Sequence, residues 1–116
     1  MNTVVFLIEE LEIDPAVEDQ YGLNAFLSAC DYGHIKIVKF LAEKYPKLIN
    51  SVDEYNDNGL HLAARSGHTD TAEFLIEKLE MDPTVRNHDG RNAFLQAFAF
   101  METSTLSSTW LKNTRS

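Results

Sequence analysis

Apolar positions along the chain fall into stripes of helical period, and the stripes return at a fixed distance. Ile37, Val38, Leu41 and Ala42 stand at i, i+1, i+4 and i+5, and Thr71, Ala72, Leu75 and Ile76 repeat that spacing 34 residues later. Such spacing draws one continuous apolar line down a helix. A shorter run precedes each stripe: Phe26, Ala29 and Cys30, then Leu60, Ala63 and Ala64. Its small residues let a second helix approach closely. The pattern predicts helix pairs near 25–43 and 59–78, a lone leading helix near 3–11, and almost no strand.

The same step links the polar punctuation. Asn24-Ala25-Phe26-Leu27 returns as Asn58-Gly59-Leu60-His61 and as Asn92-Ala93-Phe94-Leu95, each 34 residues on. Gly33-His34 returns as Gly67-His68, and Leu11-Glu12-Ile13-Asp14-Pro15 returns at twice the step as Leu79-Glu80-Met81-Asp82-Pro83. Gly22, Asn56 and Gly90 share one turn position, which suits a left-handed residue. Asn24, Asn58 and Asn92 suit helix N-caps. Gly33 and Gly67 suit left-handed C-caps. The unit is turn, short helix, Gly, longer helix, loop.

A turn, a short helix ending in Gly-His and a longer helix, repeated at about 33 residues, resembles the ankyrin repeat; against that family, the step of 34 puts one extra residue in the loop around Glu12, Tyr45-Pro46 and Glu80. Leu60-His61-Leu62-Ala63-Ala64-Arg65-Ser66-Gly67-His68 is similar to that family's Leu-His-x-Ala-Ala-x-x-Gly-His core. The resemblance implies an all-α solenoid of stacked antiparallel helix pairs with projecting turns, in one domain spanning 1–116. Its units are a partial repeat at 1–18, repeats at 19–52 and 53–86, and a degenerate terminal repeat and tail at 87–116. Neither end reads as a polar cap, so the chain is expected to be part of a longer array. At the far end, either Leu106 and Trp110 form a closing helix, the favoured reading, or the segment from Ala93 runs on.

Composition narrows the function. Ten basic against eighteen acidic residues in 116 give a net charge of −8, which favours neither a nucleic-acid nor a membrane-surface partner. Cys30 is the single cysteine, so no intramolecular disulfide forms, and the chain is expected inside the cell, in the cytoplasm. No signal peptide and no apolar run near the length of a spanning helix stand in the sequence.

No catalytic, cofactor or metal constellation emerges. Paired-Cys and His-x-x-x-His spacings and Gly-rich phosphate loops are missing. Glu9, Glu10, Glu12 and Asp14 read as a solvated helix end. The resemblance implies that His34, His61 and His68 bond backbone of a neighbouring turn, while His88 is a turn residue. It also places partner contacts on turn tips and the exposed side of each first helix. On this chain those are Tyr21, Leu23, Tyr55, Asp57, His88 and Arg91 at the tips, with Tyr32 and Arg65 on the helices. Tyr and Arg dominate interface energetics, and a tip Leu is expected to have no core role; the competing reading is ordinary surface decoration. The implied function is a protein–protein interaction module for a protein or peptide. The alternative is a regulatory segment of a larger enzyme or channel. Self-association through uncapped ends is a further expectation.

Overall fold

The computed structural model describes residues 3–103, with side chains described through residue 98. Among them stand six α-helices: α1 (Thr3–Glu9), α2 (Ala25–Tyr32), α3 (Ile35–Lys44), α4 (Gly59–Arg65), α5 (Thr69–Glu77) and α6 (Ala93–Thr103). A 3-10 turn covers Pro46–Asn50, and no strand occurs among the described residues. The first helices α2, α4 and α6 stack in one row, with α3 against α5 in the row behind. The arrangement is the all-α stack of helix pairs expected from the period.

Each helix starts and stops where its residues dictate. The Asn24, Asn58 and Asn92 carboxamide oxygens accept the backbone N–H groups of Leu27, His61 and Leu95 at 3.0, 2.8 and 3.0 Å. Each cap thereby satisfies one of the amides that a helix start leaves without a partner. At the other end of the short helices, Gly33 and Gly67 lie in the left-handed region at φ 73° and 77°. The chain then reverses directly into the longer helix.

The core runs along the stack. Phe26, Leu27, Cys30, Val38, Leu41, Leu62, Ala63 and Leu75 are fully buried. Gly59 is what lets α4 close on α2: a Cβ there would stand 2.8 Å from the Cys30 sulfur and 3.0 Å from the Phe26 ring. Thr71 shares the stripe position of Ile37 and is fully buried, but its hydroxyl has no hydrogen-bond partner.

Three details depart from the sequence reading. The extra loop residue is a left-handed glutamate in two units, Glu12 and Glu80, both at φ 56°. At the same place in the unit between them stands Pro46, whose ring forbids positive φ, and the chain winds into the 3-10 turn instead. Helix α6 continues through Met101-Glu102, where Gly33-His34 would break it, to Thr103; Leu106 and Trp110 lie outside the described residues. His34 and His68 open α3 and α5 without a side-chain cap bond, whereas His61 bonds backbone as the resemblance implied.

Candidate partner-binding site

Three turns built on one plan form the projecting edge. In the first, the Asp19 carboxylate accepts the N–H groups of Tyr21 (2.8 Å) and Leu23 (3.0 Å). Asp53 does the same for Tyr55 and Asp57 at 2.9 Å each, and the Asn87 amide oxygen does so for Asp89 (2.9 Å) and Arg91 (3.0 Å). Gly22, Asn56 and Gly90 take positive φ of 82°, 64° and 75°, as their shared position predicted. Successive turns are tied by backbone bonds: the Glu54 N–H donates to the Tyr21 carbonyl (3.2 Å) and the His88 N–H to the Tyr55 carbonyl (3.0 Å).

The third turn differs by one atom, and that atom matters. Asn87 stands where Asp19 and Asp53 are acids, so its Nδ2 is free to donate to the Asp57 carboxylate at 2.7 Å. Gln96 donates to the same oxygen at 3.4 Å, and the Arg65 guanidinium lies 3.7 Å from the other. An aspartate at 87 would set two carboxylates against each other. Asp57 is therefore a sealed strut between repeats at 2% exposure, which corrects its assignment as a partner contact. Burial holds its pKa above the ordinary carboxylate range, although the Asn87 hydrogen bond pulls the other way.

His61 fastens the same joint. Its Nδ1 accepts the Asn58 N–H at 3.0 Å, which leaves Nε2 to donate to the carbonyls of Val85 (2.8 Å) and Arg91 (3.1 Å). Leu23 departs from the expectation that a tip Leu has no core role. It occupies the position of Asp57 one turn earlier and packs, half-buried, against the core, so a tip Leu does have a core role.

The remaining expected contacts fall into two neighbourhoods. Tyr21 and Tyr55 are half exposed on adjacent turns, at 51% and 50%, and His88 and Arg91 are exposed on the third. Glu54 beside Tyr55 pushes that phenol above its ordinary range, with Asp53 and Tyr21 adding to the effect. Arg65 is exposed on α4 and spans Asp31 (3.5 Å) as well as Asp57, while the Ser66 hydroxyl donates to Asp31 at 2.9 Å. Tyr32 instead stacks on His34 and borders a groove with Val4, Ala29 and Ile37 at the leading end. The sequence reading missed Asp19, Asp53 and Asn87, although their 34-residue spacing was a usable signal.

A model of ankyrin repeats, three copies, matches residues 1–98. The chain belongs to the ankyrin-repeat family. Among curated proteins, this ankyrin chain is 36% identical over 61 residues to the BTB/POZ domain-containing protein 3 of Schizosaccharomyces pombe. The match covers 53% of the chain and 12% of that protein, so the chain spans only a small part of its relative. Among solved structures, a chain in the crystal structure of the yeast ribosomal protein Rps3 with its chaperone Yar1 superposes with a TM-score of 0.71. At 23% identity, covering 91% of this chain and 79% of that one, the likeness is one of fold. Ankyrin repeats are protein-interaction modules. Among the described residues no helix is long and apolar enough to cross a membrane.

Proposed function

We propose that this ankyrin stack, in the units 1–18, 19–52, 53–86 and 87–116, holds a protein or peptide partner along its turn edge inside the cell. Tyr21 and Tyr55 form the centre of the contact, Arg65, His88 and Arg91 its continuation, and Tyr32 an outlying contact. The observation that carries this reading is the pair of half-exposed tyrosines on consecutive turns, locked in register by the inter-turn hydrogen bond. Rigid aromatic side chains offer large contact area at low entropic cost. We read the chain as a binder rather than a catalyst; its one thiol, Cys30, is fully buried, and burial together with Asp31 pushes it far toward the protonated form.

The test is a photo-crosslinking residue at Tyr55, compared with one at Glu73 on α5. A partner captured from the Tyr55 position and not from Glu73 supports the turn edge. Equal capture from both faces overturns it. A regulatory segment within a larger enzyme or channel is the second reading; the 61 matched residues make up 12% of the BTB/POZ relative, so a similar segment there lies within a much longer protein. For the 116-residue chain itself, Phe94, Leu95 and Phe98 at one end and Phe6 and Leu7 at the other leave apolar surface open to a second copy. A strictly monomeric species in light scattering at high concentration would dismiss that association.

A further inference from the structure

We infer that the Tyr21–Tyr55 pair takes a basic segment in polyproline conformation, with Arg or Lys side chains three residues apart lying over the two rings. This rests on the turn edge being the binding face and adds the chemistry of what binds there.

The first support is charge placement. Turns one and two carry Glu18, Asp19, Asp53 and Glu54 around the two tyrosines. Ion pairs among the described residues join Arg65 to Asp31 and Asp57, so none of those four acids has a cation. The third turn carries Arg86 and Arg91 instead, and α3 in the rear row carries Lys36, Lys39 and Lys44. Beside the pair, Arg65 is engaged by Asp31 and Asp57, and Arg86 and Arg91 stand one turn further on, so the field at the tyrosines themselves is acidic and draws a cationic partner.

Ring chemistry is the second support. A tyrosine face attracts a cation, a guanidinium best of all because it also stacks flat. The chain makes such a contact itself, with the Lys39 ammonium 5.4 Å from the centre of the Phe74 ring. Glu54 beside Tyr55 would hold the same cation from the side.

Spacing is the third. Tyr21 and Tyr55 hold one position in successive units, 34 residues apart. Packed helices stand about 8–10 Å apart, and the turns they carry share that step. Three residues of polyproline chain cover about 9 Å and bring the side chain back to the same face, whereas in a fully extended strand i and i+3 point to opposite faces. Cations at i and i+3 therefore meet consecutive rings.

The experiment measures fluorescence anisotropy of the full chain with labelled nine-residue peptides of Gly, Ser and Pro. Each peptide carries two Arg at separations from one to five. The tightest binding is expected at three. Replacing both tyrosines (Tyr21→Ala with Tyr55→Ala) weakens it at least about fivefold, given two exposed cation–π contacts. Tyr21→Phe with Tyr55→Phe keeps most of the affinity, because the rings remain. Glu54→Gln weakens binding and flattens its salt dependence, while Glu73→Gln on α5 does neither. Affinity that ignores Arg separation, or survives the double Ala variant, overturns the inference in favour of unspecific attraction to an acidic protein. If the Tyr55 crosslinker traps a partner that Arg peptides do not displace, the binding face stands and the basic partner falls. If peptides bind best at separation three while no protein crosslinks at Tyr55, the ring chemistry stands and the proposed cellular role falls.

Discussion

Leu60 on α4 and Phe94 on α6 hold one repeat position, yet Leu60 is 1% exposed and Phe94 is 68% exposed. Nothing within either short helix explains the contrast. Helix α4 packs between α2 and α6, while Phe94 meets the edge of Phe98, with ring centres 5.1 Å apart. Burial in a stack belongs to the interface between units, not to the residue. A motif read from one unit therefore says which side chains can be buried, and its neighbours decide which ones are.

Substitution at the paired positions should reproduce that asymmetry. Leu60→Ala should cost about 3 kcal/mol, within the range for enlarging a filled core, whereas Phe94→Ala should cost under about 1 kcal/mol. Urea midpoints of the two variants give the comparison. Equal losses would mean that the last unit is as tightly covered as the middle one.

The turns offer a finer version. A Cβ on Gly22 would stand 2.9 Å from the Glu54 amide nitrogen of the next turn, while one on Gly90 would meet nothing within 4 Å. Both positions have positive φ, so alanine costs about 1–2 kcal/mol at each from the backbone alone. Gly22→Ala should add about 1 kcal/mol more for crowding, in the range for overpacking, read as a further drop in melting temperature. Asn56 also holds a positive φ in the middle turn, so Gly22→Asn should be milder than Gly22→Ala.

Thr71 and Ile37 give a contrast of opposite sign. Thr71→Val replaces an orphaned buried hydroxyl with a methyl of like shape and should stabilise the chain by about 1 kcal/mol. A neutral or destabilising result in thermal melts would show that the hydroxyl finds a partner in solution.

The smallest effect is the pH response of Asp57, for which Leu23 is the uncharged counterpart. Its pKa is raised by burial, so the folded chain holds this proton more firmly than the unfolded one. The stability of the native chain relative to Asp57→Asn should therefore fall as pH rises from about 3.8 through the folded pKa, then level off. Paired denaturation curves at pH 4 and pH 7 check the sign. A difference that grows toward neutral pH would mean that Asn87 and Arg65 outweigh the burial.

How far the sequence could be read follows the same division. Turn glycines, Asn caps and left-handed helix ends are local, set within a few residues, and all three were legible from one 34-residue step. Asp57 was misplaced because its partners lie elsewhere. Asn87 and Gln96 come 30 and 39 residues later, and their amides decide whether a tip carboxylate faces water or a neighbour. Leu23 packs partly against the core, which its tip position did not announce. The glutamates at 12 and 80 were found as an insertion, but side-chain type gave no sign of positive φ. Pro46 at the matching place was a usable sign of the exception that the reading passed over, because its ring cannot follow.

The two backbone bonds that tie turn to turn make each joint separately observable. The amide protons of Glu54 and His88 are given to carbonyls of the preceding turn, so each is shielded only while its own pair of units stays docked. Their exchange with heavy water would report the opening of the first and second joints independently, in one experiment and without any substitution. If the second joint, with its buried Asp57 and His61, opens less often, the His88 amide will be the last of the two to take up deuterium.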